Sequence, residues 1–125
     1  MVILMITRDL FHGTNGDAIL QILRERQMRP NAQGRIFLAE HRYDSVFMHG
    51  GDRKRKLTFA MKVRVQVPPA VQVERTSTRG VSDTLILQTM TPIPADILEL
   101  YVREPHGSTV QTIRGGAAIL QFLTR

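Results

Sequence analysis

The sequence predicts a single α+β domain, and three observations carry that prediction. An amphipathic helix stands near the N-terminus, alternating strands fill the second half, and no repeat, low-complexity tract or linker divides the chain. Its 125 residues match the commonest domain size. A chain of that length buries roughly two thirds of the surface it exposes when unfolded, so its core needs no covalent staples.

The apolar run Val2-Ile3-Leu4-Met5-Ile6 is too short for a membrane span or a signal segment and reads as a buried strand. Phe11 to Thr14 closes this first extended segment, and Asn15-Gly16-Asp17 supplies turn and N-cap chemistry. From Asp17 to Met28, Ile19, Ile22, Leu23 and Met28 share one helical face, and Arg29-Pro30 stops the pattern. After a turn at 31–34, Arg35 to Ala39 is a short strand. His41 to His49 fits a second helix carrying Tyr43, Val46 and Phe47, ended by Gly50-Gly51. Leu57 to Val67 alternates as a half-buried strand, Pro68-Pro69 breaks it, and Val71 to Arg75 resumes the alternation. Further strands are expected over Thr84–Gln88 and Ile97–Val102, and the tail from Gly115 to Leu123 fits a helix or a last strand.

Seventeen Lys and Arg against eleven Asp and Glu give a net charge of +6, which favours encounters with nucleic acid, nucleotides or other anions. The absence of cysteine removes disulfides, thiolate metal sites and cysteine nucleophiles together. No phosphate-binding glycine loop, dinucleotide fingerprint, HExxH or acidic calcium loop occurs. The four histidines, His12, His41, His49 and His106, lack metal-site spacing, so no metal is expected. A cytoplasmic location without membrane attachment is the corresponding expectation.

What remains is Leu10-Phe11-His12-Gly13-Thr14, at a strand end before a helix. Glycine there admits a ligand close to the backbone. The ring nitrogens of His12 and the hydroxyl of Thr14 suit a sugar. The same tripeptide also serves as an ordinary strand-to-helix turn.

The order His-Gly-Thr, helix, Met-Arg-Pro turn, Arg-Ile-Phe-Leu-Ala strand, helix and long alternating strand resembles the ADP-ribosyltransferase superfamily. Within it the chain is most similar to the diphtheria-toxin-like and poly(ADP-ribose) polymerase branch and to the RNA 2′-phosphotransferases. Leu10 to Thr14 looks like its first motif, Gly34 to Ala39 like its second, and Arg79 to Leu87 like its third, followed by an Ile93-to-Ile97 step. The resemblance spans about residues 8–103. It implies a split β-sheet with an NAD cleft, and transfer of ADP-ribose from NAD to a macromolecule. His12 would contact a ribose, Gly13 the nicotinamide carboxamide through its backbone, and Thr14 would support that loop. Phe37 stands where the polymerases carry a stacking tyrosine, Tyr43 either adds a second ring or packs the helix, and Arg35 is a candidate for the pyrophosphate. Where many transferases place a glutamate, this chain has Asp83 or Thr84, of which only one can face a cleft.

Compared with the RNA 2′-phosphotransferases, an N-terminal Arg-His lobe and a strand histidine are missing, so that activity ranks second. A non-catalytic nucleotide- or nucleic-acid-binding module is a third reading. The run Arg53-Lys54-Arg55-Lys56 is either a solvated turn or a phosphate-contacting edge that steers RNA or DNA. Nucleic acid is favoured modestly over protein as acceptor. A compact domain of this kind suits a toxin or effector, which would bring an antitoxin or immunity partner.

Overall fold

The structure is a computed structural model and describes residues 6–41, 43, 47, 57–78, 81–104 and 109–125. In chain order the elements are β1 (Ile6–His12), α1 (Gly16–Glu25), β2 (Gln27–Met28), β3 (Arg35–Ala39), β4 (Thr58–Val67), β5 (Gln72–Thr78), β6 (Val81–Gln88), β7 (Ile93–Arg103), β8 (Val110–Arg114) and α2 (Gly116–Leu123). The α+β class therefore holds. All strand pairs are antiparallel, in the order β2-β7-β4-β1-β3-β6-β5, with β8 beside β2 on the outer side of β7.

Alternation divides each strand between two faces. On one face Leu10, Ile36, Leu38, Phe59, Met61, Val63, Val65, Leu85, Leu87, Leu100 and Val102 join Ile19 and Ile22 of α1 and Ile119 and Phe122 of α2 in the main core. On the other, Ala39, Ala60, Phe47 and Tyr101 form a second, smaller cluster with Phe11, Tyr43 and Val110. Cross-strand register confirms the division. Phe11 lies opposite Ala39, Ala39 opposite Thr84, and Thr84 opposite Thr76, which puts all four in one row on the second face.

Asn15 caps α1 as its sequence implied, its side-chain oxygen accepting the Ala18 amide at 2.8 Å. The far end differs from expectation. Arg26 adopts a left-handed conformation (φ 55°), its amide reaches the Ile22 carbonyl, and the helix stops there. Met28 is buried at 2% exposure, but as part of β2 against Ile93 rather than on the helix. The tail from Gly115 to Leu123 takes the helical alternative, as α2, and β8 just before it lies outside every expected element. Ile6, expected within a buried strand, is 62% exposed. Val2 to Met5, Arg79-Gly80 and most of the anticipated helix at 41–49 lie outside the described residues.

Gly16 opens α1 without a positive φ, and a Cβ there would meet Phe59 Cε2 at 3.5 Å, an ordinary contact. Gly16→Ala is expected to stabilise the fold by about 0.4–1 kcal/mol, since only the unfolded chain loses freedom. Chemical denaturation would measure it as a raised midpoint at unchanged slope.

The β1–β3 junction differs from every other long strand contact. Seven register pairs join β1 to β4 and eight join β4 to β7, but only Phe11–Ala39 joins β1 to β3 among the described residues. The sheet therefore has two halves, β5-β6-β3 and β1-β4-β7 with β2 and β8, meeting at a narrow seam.

Candidate functional site

Strand β1 ends at the seam, where the chain must leave the ladder to start α1. His12 marks that exit. Its Nδ1–H donates to the Phe37 carbonyl oxygen at 2.7 Å, across 25 residues of sequence. The ring thus takes the place of the main-chain pairing that β1 and β3 have just abandoned. A carbonyl can only accept, so Nδ1 carries the proton of this bond. Gly13 behind it is buried and Thr14 half-buried, leading directly into the capped N-terminus of α1.

Phe37, at the centre of β3, is 43% exposed on the second face, opposite the buried Ile86. Arg35, two residues earlier, shares that face, is exposed, and has no ion-pair partner among the described residues. Tyr43 packs rather than projects. It stacks on Tyr101 at 4.2 Å and 20°, meets Phe47 edge-on at 5.8 Å, and approaches Phe11 at 6.4 Å. Thr84 is half-buried in β6 beside Ala39, in the row that contains Phe11. The side chain of Asp83 and the whole of Arg53, Lys54, Arg55 and Lys56 lie outside the described residues.

The three motif segments thus fall on consecutive strands. The end of β1, the length of β3 and β6 are neighbours in the sheet, although β2, β4 and β5 intervene in sequence. His12 and Phe37 are brought into contact through the Phe37 backbone, whereas Tyr43 belongs to the aromatic cluster and Thr84 sits one strand beyond.

Sequence reasoning missed Glu40. Its side chain is 5% exposed, directly after β3, and two arginines converge on it. Arg8 of β1 donates to Oε2 at 3.1 Å, and Arg75 of β5 donates to Oε1 at 2.6 Å and Oε2 at 3.3 Å. Burial alone would raise the carboxyl pKa, but the hydrogen bonds and charges of Arg75 and Arg8 outweigh it and hold it below 4.5. A depressed folded pKa contributes stability above the unfolded value and loses it as pH falls through the folded one. Glu40→Gln is therefore expected to cost about 1–2 kcal/mol at pH 7, discounted because Arg75 remains largely solvated. Acid titrations of the two proteins should converge below about pH 4.5.

Glu99 was also missed. Tyr101 Oη donates to its Oε2 at 2.5 Å and Arg114 Nε to its Oε1 at 3.4 Å. The Tyr101 hydrogen bond leads in holding Glu99 ionised, and burial with the same carboxylate keeps the Tyr101 phenol protonated well above its ordinary range. Both acids are thus committed to partners within the protein. Among the described residues no group of three or more His, Asp or Glu side chains could hold a metal, and no helix is long and apolar enough to cross a membrane. Comparison with protein-family models, with curated proteins and with solved structures gave no match.

Proposed function

We propose that this domain transfers ADP-ribose from NAD to a macromolecular acceptor, with RNA or DNA favoured over protein. One observation supports the reading: three segments that resemble the superfamily's motifs, dispersed over some 75 residues, lie on three neighbouring strands, β1, β3 and β6.

In such a reaction the bond between the nicotinamide-ribose C1′ and the pyridinium nitrogen breaks, and nicotinamide leaves with the electron pair. An acceptor hydroxyl or ring nitrogen then bonds C1′ and gives up its proton. The chain's own part is to hold and orient. His12, oriented by its bond to the Phe37 carbonyl, presents its ring to a ribose hydroxyl. The exposed phenyl ring of Phe37 offers a stacking face, and the guanidinium of Arg35 can meet a phosphate as a two-pronged donor. The surplus of positive charge draws an anionic acceptor toward the site.

A second reading, a binding module without turnover, draws on Thr84, a hydroxyl where a carboxylate would steady the developing ribosyl cation. One experiment separates the two. Purified protein is incubated with NAD alone, with NAD and RNA, and with NAD and DNA, and free nicotinamide is measured. Release stimulated by nucleic acid supports the transferase and names its acceptor. Thermal protection by NAD without release supports the binding module, and neither release nor protection overturns both.

A further inference from the structure

We propose that the β1–β3 seam is a hinge about which the two half-sheets turn. Its pivot is Phe11–Ala39, the single register pair among the described residues, and a side-chain clasp lies on either side of it. Toward the C-terminal end of β1, the His12 ring bonds the Phe37 carbonyl. Toward the N-terminal end, Arg8 bonds Glu40, which Arg75 holds from β5.

The geometry argues for rotation rather than for an interrupted but rigid sheet. A ladder of seven or eight pairs opens only as a unit, whereas a single pair leaves the flanking backbone free to change its crossing angle. Both clasps are side-chain bonds, which break and re-form without disturbing the ladders β1–β4 or β3–β6 on either flank. Packing sets the limit of the motion. Leu10 and Leu38 belong to one core beneath the seam, and Phe11 and Ala39 to one cluster above it, so the halves swivel without separating. As His12 leaves Phe37, the gap between the strand ends widens where the candidate site lies. That last step rests on the proposed NAD chemistry, and the hinge itself does not.

The absence of native cysteine makes the test clean. Phe11→Cys/Ala39→Cys places two thiols on register partners, and oxidation locks the pivot in a protein whose reduced form is its own reference. Hydrogen exchange followed by mass spectrometry should show peptides around Phe11 and Ala39 exchanging at least tenfold more slowly in the oxidised than in the reduced protein, with β4 and β7 peptides unchanged. Nicotinamide release should fall at least tenfold on oxidation and return on reduction.

Glu40→Gln tests the same hinge in a variant that keeps both cluster residues, and it should speed exchange in β1 and β3 while leaving β4 and β7 unchanged. Exchange around Phe11 and Ala39 that neither slows on oxidation nor speeds up in Glu40→Gln would overturn the hinge. Equal nicotinamide release by oxidised and reduced forms would overturn its role at the site. If wild type releases no nicotinamide, the proposed chemistry fails and the exchange data alone decide the hinge.

Discussion

His12→Ala is expected to lower nicotinamide release from NAD by about a hundredfold or more, while costing only about 0.5–1.5 kcal/mol of stability. The small structural cost follows from position. The ring is half-exposed at a strand end, and its bond to Phe37 is a single side-chain contact to a carbonyl. The large kinetic effect follows from the proposed chemistry, in which Nδ1 holds Phe37 and the other end of the ring meets the sugar.

His12→Asn separates those tasks. Its amide nitrogen sits near the place of Nδ1 and can still donate to the Phe37 carbonyl, but nothing replaces Nε2. Asparagine should therefore restore the melting temperature without restoring turnover. A variant that recovers both would mean that His12 acts only as a strut. Measuring kcat and KM separately decides whether the lost interaction belonged to the bound substrate or to the transition state.

The second large effect concerns stability. Phe59→Ala should cost about 3–5 kcal/mol, much of the roughly 6–19 kcal/mol expected for a chain of this size. Phe59 is fully buried on β4, opposite Val102, and its ring is the nearest neighbour of the space above Gly16. Its removal leaves a cavity beneath the start of α1, immediately after the His-Gly-Thr segment. Denaturant unfolding should register a lower midpoint, and nicotinamide release should fall as well, because α1 no longer fixes Thr14. Phe37→Ala provides the contrast. With 43% of that residue exposed, little apolar burial is lost, so stability should change by less than about 1 kcal/mol. NAD binding should nevertheless weaken.

The N-terminal cap of α1 and the strands β4, β5 and β6 are legible in the sequence because the signal for each is local: a capping side chain, or alternation over consecutive residues. The helix end is not, since a left-handed arginine carries no mark that glycine or asparagine would have shown. Met28 misled because an apolar residue just past a helix reads as its last turn; three positions beyond Glu25 it is out of phase with Ile19 and Ile22, and β2 buries it instead. Strand β7 begins earlier than expected, for Pro94 is tolerated where it faces the two-residue strand β2. The polar β8 offered too weak an alternation to be seen, with Gln111 and Arg114 among five residues.

At the site, His12 and Phe37 were visible as motif residues, but their contact was not. Glu40 was invisible for a related reason: its arginines are 32 and 35 residues away, and no spacing rule links them.

The position of β1 in the middle of the sheet has a consequence for how the molecule is made. The earliest described strand in the chain is fourth of seven in the sheet order, flanked by β3 and β4. Its full ladder forms with β4, whose register partners run from Met61 to Val67, so β1 must wait for more than half the chain to be synthesised. Until then Leu10 and Phe11 have nowhere to bury themselves. The β5–β6 hairpin can close early, but the centre of the sheet closes late, and each closure spans a long loop. Refolding from denaturant is therefore expected over milliseconds to seconds rather than microseconds. A nascent chain stalled before residue 58 should be held by chaperones or cleared by proteases, without accumulating as a partly folded domain.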